Sequence, residues 1–376
     1  MKIPVYSPLI RPYTSSAVAE LEAGWVSNHG PYIKKTEELL SKLASIPYCI
    51  LMNNGTAATE CLLLTIKFKY PNVKYICIPD RTFIAPWSAA TRHFSKNSIF
   101  CLEVNNQTYN IEYNEKQFDQ IPEGSCFLCV HNLGSIVNIP DIKRQRPDLV
   151  VIEDNCEGFM GSYEGQLTGA HEDTVASCIS FFPNKTFTSG EGGAFFTHDK
   201  EIYDYIKTYH SHGMGSERYI HPIAGSNFRM TNIAAALLYE QLSDARNILS
   251  LKRQVVDNYY EMLKNISSIV SIIPTSNQTK SSNWMVALNF KKGSYNDFEL
   301  YMKSYNIEVR PTFPSIVRHE FLNQVRFIKT EKKKNTDIAF SCFIPSGPGL
   351  KLKEQKVVVR AIEKYININD FEKVKI

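Results

Sequence analysis

Between Tyr48 and Thr197 the chain keeps returning to one pattern, a short apolar run followed by a polar or helical stretch. The runs are Tyr48–Met52, Tyr75–Pro79, Ser98–Leu102, Cys126–His131, Leu149–Glu153, Ala176–Phe182 and Gly193–Thr197. Runs of this length, rich in Val, Ile, Phe and Cys, read as strands buried on both faces. Between the first two, Thr56–Lys69 carries Ala57, Leu62 and Ile66 on a broad helical apolar face. Strand, helix and strand in alternation predict an α/β fold, a mostly parallel seven-stranded sheet with helices on both faces.

Beyond Gly193–Thr197 the pattern changes. A long helical periodicity runs from Met230 to Ile266, then strand-like runs (Asn283–Phe290, Ile307–Thr312, Ala339–Pro345) mix with helical ones (Asp297–Tyr305, Glu354–Ile366). The expected division is a large domain over 1–266, including an N-terminal segment and the long linking helix, and a smaller C-terminal α+β domain over 267–376. The first forty residues, with a helix near Ser16–Gly24, are expected to pack near the small domain. A chain of 376 residues has room for two such units and for a core that needs no staples.

Charge and cysteine usage narrow the classes of function. Net charge is only +4, and Lys332-Lys333-Lys334 after Lys329 reads as a solvated loop, so no nucleic-acid partner is expected. Nine cysteines, an odd number set mostly in apolar runs, suit a reducing compartment. Cys126 and Cys129 form a CxxC inside a strand-like run, which reads as core packing rather than zinc or redox chemistry, and no metal is expected. There is no apolar leader after Lys2 and no apolar run of membrane-spanning length, so a cytoplasmic protein without a membrane partner is expected.

Four segments carry residues suited to chemistry. Ser180-Phe181-Phe182-Pro183-Asn184-Lys185-Thr186 places a lysine after a buried strand and before Gly190-Glu191-Gly192-Gly193. A lysine that condenses with a carbonyl needs some neutral amine, so its pKa must fall from about 10.4. Read alone, it is an ordinary loop lysine. Val150-Val151-Ile152-Glu153-Asp154 ends an apolar strand in two acids, which alternation sends to opposite faces. Ligands of open α/β sheets sit beyond the carboxyl ends of strands, where Asp154 could keep a pyridine nitrogen protonated; its plainer reading is a helix N-cap. Asn53-Asn54-Gly55-Thr56 joins a strand to a helix N-terminus, a place for an anion or merely a turn. Phe83 at a strand end could stack on a planar ring or simply fill core.

Taken in order, these segments resemble the pyridoxal-phosphate (PLP)-dependent nucleotide-sugar aminotransferases of the DegT/DnrJ/EryC1/StrS type, a branch of the aspartate aminotransferase-like fold (PLP fold type I). The resemblance spans the chain, from Gly24-Trp25-Val26-Ser27 and Gly30-Pro31-Tyr32 through Asn54-Gly55-Thr56-Ala57, Thr82-Phe83, Val130-His131-Asn132-Leu133-Gly134, Glu153-Asp154, Ser180–Gly193 and Asn227-Phe228-Arg229-Met230-Thr231 to Pro345-Ser346-Gly347-Pro348-Gly349-Leu350. It implies that Lys185 carries PLP as a Schiff base and that Asp154 pairs with the pyridinium nitrogen. It further implies that Phe83 stacks on the ring and that Gly55, Thr56 and Ser180 hold the phosphate. Asn227 matches an asparagine that reaches the phosphate from a second subunit, which implies a homodimer with shared sites. Ser27, His212 and Arg310 correspond to substrate-side positions. Glu157 departs from the usual glutamine beside the ring hydroxyl, which predicts a raised Glu157 pKa or an altered hydrogen bond to the cofactor. Asn132-Leu133 also departs from the more usual Leu-Tyr.

The run Ile307–Pro314 and the segment Asn184–Gly193 look most similar to perosamine- and viosamine-type 4-aminotransferases. The expected reaction moves an amino group from glutamate to the C4 ketone of a nucleotide-linked 4-keto-6-deoxyhexose, leaving pyridoxamine phosphate in the first half. The alternatives are amination at C3 and a non-catalytic regulator that keeps the fold. Sugar 3-dehydrases of the same fold usually have histidine at the lysine position, and Lys185 points away from them.

Overall fold

A computed structural model describes residues 2–266, 269–272, 278–328 and 338–371. The lysine cluster at 332–334 lies outside the described residues. Seven strands form where apolar runs were read: β1 (Tyr48–Met52), β2 (Ile76–Pro79), β3 (Ile99–Leu102), β4 (Cys126–Val130), β5 (Val150–Asp154), β6 (Thr174–Ser180) and β7 (Gly193–Thr197). The sheet has eight strands rather than seven, because Arg326–Ile328 (β8) returns to pair in parallel with β3. The order is β1-β7-β6-β5-β4-β2-β3-β8, and only β7 runs against its neighbours. No interior position of these strands is exposed, because both faces are covered. On one face Ile50, Ile78, Leu128 and Ile152 pack with Leu62 and Ile66 of helix Gly55–Lys69. On the other, Phe127, Cys129 and Val151 pack with Ile139 and Ile142 of helix Ile139–Gln145.

This arrangement separates Cys126 from Cys129: three residues apart on one strand, they join opposite core clusters and cannot share an ion. All nine cysteines are unpaired thiols. No helix among the described residues is long and apolar enough to cross a membrane.

The expected single helix from Met230 to Ile266 is two helices, Asn232–Ser243 and Ala245–Leu263. The break is Asp244, which leaves helical geometry (φ −109°, ψ 27°) and accepts the Tyr13 hydroxyl at 2.7 Å. Such a short polar side chain competes readily with helix propagation. The second helix delivers Val255, Tyr259 and Leu263 to a second core, built with Phe290, Phe298, Phe340 and Tyr365. That core underlies a four-stranded antiparallel sheet in the order Ile269–Ile272, Val286–Phe290, Phe340–Ile344, Arg310–Pro311. Of the first forty residues, only the start joins this unit, through the bridge between Ile3 and Ile307. Helices Ser15–Glu22 and Pro31–Ala44 pack instead on Asn232–Ser243. The chain therefore crosses the expected boundary at 266/267 in both directions: Ile3 and helix Ala245–Leu263 serve the small core, and β8 serves the large sheet.

Candidate active site

Strands β1, β4, β5 and β6 point the same way, so Met52, Val130, Asp154 and Ser180 reach one edge of the sheet. There helix Gly55–Lys69 begins. The Asn54 side chain caps it by accepting the Ala57 N–H at 2.8 Å, and the first amides of the helix have no partner within it. Gly55 is required by contact, since a Cβ on it would stand 2.6 Å from Ser180 Cβ. A helix N-terminus and a serine hydroxyl are thus pressed together, the combination that binds a phosphate. They open onto a cavity of about 910 Å³ whose wall also includes Thr56, Phe83, Asp154, Glu157 and Lys185.

Lys185 lines the same cavity and is largely shielded from solvent. Its Nζ lies 3.5 Å from Glu157 Oε1 and 4.3 Å from the centre of the Trp284 ring. The Trp284 indole N–H donates to Asn184 O at 2.9 Å, and the Tyr6 hydroxyl donates to Lys185 O at 3.0 Å. The two carbonyls flanking this lysine are therefore both held.

Asp154 is buried, with Oδ1 accepting the Cys156 N–H at 2.9 Å and Oδ2 3.4 Å from Thr59 Oγ1. No helix directly follows β5 among the described residues, so its plainer reading as a helix N-cap is not met: the carboxylate holds the turn after the strand and also lines the cavity. Glu157 is buried too. Its Oε2 accepts the Leu133 N–H at 2.9 Å, and burial pushes its pKa up to about 7 although the Lys185 ammonium and the Leu133 amide pull it down. The Asn132-Leu133 segment thus serves Glu157: Leu133 takes a left-handed conformation (φ 59°) and aims its N–H at the carboxyl. The two departures from the family pattern meet in one hydrogen bond.

These residues fit PLP. A phosphate cradle, an aromatic ring, a buried carboxylate and a shielded lysine share one cavity. Three polar atoms of cavity-lining residues, Asn53 Oδ1, Thr82 Oγ1 and Asn184 Oδ1, are buried without a partner, as expected where a polar group is to be received. Phe83 is 55% exposed and touches Phe313 edge to face, so its reading as core packing is overturned.

Asn227 and Arg310 also line the cavity. Asn227 does so within its own chain, accepting Arg229 Nε at 2.9 Å, and Arg310 rests on Glu308 at 2.9 Å. Ser27 and His212 are not among the lining residues. Ser27 is held by its carbonyl to the Asn232 N–H, and His212 sits in a left-handed turn (φ 61°) paired to Ser226. Residues that sequence reading missed are Trp284, Tyr6 and Thr59. Only Thr59 had a signal, one helical turn after Gly55 on the face that meets Asp154.

The comparisons with known proteins agree with this geometry. The profile of the DegT/DnrJ/EryC1/StrS aminotransferase family matches residues 12–363. A GDP-perosamine synthase of Escherichia coli O157:H7 is 32% identical over 317 residues, covering 83% of this chain and 84% of that one. A UDP-2-acetamido-2-deoxy-3-oxo-D-glucuronate aminotransferase of Pseudomonas aeruginosa is 27% identical over 263 residues, covering 69% of this chain and 71% of that one. Among solved structures, an Escherichia coli GDP-4-keto-6-deoxy-D-mannose-3-dehydratase with bound hydrated PLP superposes with a TM-score of 0.83 at 18% identity, over 96% of this chain and 99% of that one. At that identity the likeness speaks for the fold, PLP fold type I.

Proposed function

Because the chain belongs to the DegT/DnrJ/EryC1/StrS aminotransferase family, we propose that it transfers an amino group, with PLP as cofactor, from glutamate to the C4 ketone of a nucleotide-linked 4-keto-6-deoxyhexose. The observation that carries this reading is the convergence of Lys185, Glu157 and Asp154 on one cavity that begins at a helix N-terminus. Likeness to GDP-perosamine synthase supports amination at C4.

Lys185 would hold the cofactor through its amine, Asp154 would face the ring nitrogen, Phe83 would cover the ring, and Gly55, Thr56 and Ser180 would take the phosphate. Bound PLP supplies an electron sink for the carbon that bears the migrating amino group. The chain's own residues supply the proton traffic. Lys185 Nζ would take the proton from the donor's α-carbon in the first half and return a proton to the sugar carbon in the second. Glu157, 3.5 Å away with a pKa of about 7, can hold or release a proton beside that amine at neutral pH. Asp154, anchored by the Cys156 N–H, would be the acceptor for a ring N–H. Arg310 and Asn227 line the same cavity, which supports a role for Arg310 toward the sugar substrate and for Asn227 toward the cofactor phosphate. In this reading Ser27 and His212 act only by joining a cavity across a homodimer. Exposed Trp25, Val26, Tyr219 and Ile220 support such an assembly, which light scattering tests. Nine free thiols support a cytoplasmic setting.

The deciding experiment incubates the PLP-loaded protein with glutamate and a panel of nucleotide-linked 4-keto-6-deoxyhexoses, followed by mass spectrometry and NMR of the product. A mass change for amine in place of ketone, with nitrogen on C4, is expected. Nitrogen on C3 would favour the second reading, which likeness to the 3-oxo-sugar aminotransferase supports. A colourless protein blind to added PLP would overturn both.

A further inference from the structure

Lys252 is fully buried on helix Ala245–Leu263, and no carboxylate pairs with it among the described residues. An ammonium removed from water without a counter-ion is costly unless dipoles replace its hydration. Here Nζ donates to Trp284 O at 2.7 Å and to Ser346 O at 2.5 Å, and it stands 5.0 Å from the centre of the Tyr6 ring. Burial pulls its pKa down to about 7.

The groups it gathers come from three distant stretches of chain. Ser346 is tied to the N-terminal segment through its N–H to Val5 O at 3.0 Å, and to Val286 through its Oγ at 3.1 Å. Gly347 lies so close to Ser7 that a Cβ would stand 2.5 Å from the Ser7 carbonyl oxygen. Two of Lys252's three contacts lead on to Lys185. Trp284 holds the carbonyl before Lys185 and covers its Nζ, and Tyr6 holds the carbonyl after it. Fixing the peptide on both sides of a residue fixes the direction of its Cα–Cβ bond.

We infer that Lys252 is a positioning residue for Lys185: its head group locks Tyr6, Trp284 and Ser346 into one frame, and that frame sets where the Lys185 amine stands in the cavity. A lysine suits the task because one ammonium can serve two carbonyls and an aromatic face at once, whereas methionine fills the volume and serves none. The inference rests on the reading of Lys185 given above.

The test is Lys252→Met in the full-length protein, with Tyr6→Phe and Trp284→Phe beside it. Amide hydrogen exchange of the cofactor-free protein should rise about fivefold or more in the peptide around Asn184-Lys185, with helix Gly55–Lys69 unchanged. In the loaded protein kcat should fall about tenfold to a hundredfold while both KM values stay within about twofold, because a misplaced amine slows the proton step rather than binding. Tyr6→Phe and Trp284→Phe should each lower kcat by about threefold or more, and Tyr6→Phe should cost less again on top of Lys252→Met, because both act through one frame. Should Lys252→Met not fold, those two variants carry the test. Unchanged exchange around Lys185 together with unchanged kcat, in Lys252→Met or in both of the others, overturns the inference. Losses that simply multiply in the double variant overturn it as well. A wild-type protein that transfers no amino group would overturn the reading of Lys185 and this inference together, whereas a Lys252→Met protein equal to an active wild type overturns the inference alone.

Discussion

Glu153 and Asp154 are neighbours on β5, yet they live in opposite kinds of surroundings. Glu153 points into the core and is fully buried, with four donors on its carboxylate: His131 Nε2 at 2.8 Å, the Tyr163 hydroxyl at 3.1 Å, the Gly169 N–H at 2.9 Å and the Thr174 hydroxyl. The Val137 N–H donates to His131 Nδ1 at 3.0 Å, so the ring is neutral and must give its one proton to Glu153. Asp154 and nearby Glu157 are buried to nearly the same degree but under-supplied: one backbone N–H each, a distant threonine hydroxyl for Asp154 and the Lys185 amine for Glu157. A buried acid whose lone pairs are all filled is a structural post. One whose lone pairs face a cavity is free to do chemistry. Burial alone therefore does not distinguish the two roles; the count of donors does.

That contrast breaks if the open side governs folding or the closed side governs turnover. The largest effect should come from Lys185→Ala. Turnover should fall by roughly a thousandfold, as for loss of a positioned general base, with the unfolding temperature unchanged and cofactor still retained by equilibrium dialysis. Normal transamination by this variant would end the assignment. Glu153→Ala should do the reverse. It strands four donors in the core, at a cost of about 3 kcal/mol or more, and calorimetry should show a clear drop in unfolding temperature. The kcat of its folded fraction should stay within about twofold of wild type, since no group of the network lines the cavity. Smaller again is Gly55→Ala. Its methyl must push Ser180 away from the helix start, and PLP affinity measured by fluorescence titration should weaken about tenfold, equal to about 1.4 kcal/mol.

Much of this contrast was legible in the sequence. Continuous apolar runs located β1 to β7 because strands buried on both faces need no polar alternation, and the two-residue period sent Glu153 and Asp154 to opposite faces. Gly55, Ser180 and Lys185 are adjacent only in space, so their joint meaning came from resemblance and not from spacing. What stayed hidden depends on contacts between remote segments. β8 pairs with β3 across more than two hundred residues of chain, and nothing in Arg326-Phe327-Ile328 marks it as a strand of the large sheet. Asp244 splits a good helical periodicity because of a tyrosine near the N-terminus. Trp284, Tyr6 and Lys252 act on Lys185 through backbone carbonyls, which leave no trace in side-chain pattern.

Glu157→Gln should give the smallest effect and the sharpest view of the open side. Burial raises the folded-state pKa of Glu157 from 4.5 to about 7, while the unfolded chain keeps the ordinary value. Between those two values the folded protein binds more protons than the unfolded one, so this carboxyl makes stability fall as pH rises across that window. Below the window the group is protonated in both states and contributes no slope; above it the loss is complete and constant. Glutamine keeps the shape and never ionises, so the slope should vanish. In the cofactor-free protein the unfolding temperature of Glu157→Gln minus that of wild type should therefore climb steadily from pH 4.5 to about 7 and then level off. A difference that is flat with pH would mean that Lys185 and the Leu133 amide already hold Glu157 ionised. The open side of β5 would then be as well supplied with partners as the closed one, and donor count would no longer explain why chemistry belongs to Asp154 and Glu157 rather than to Glu153.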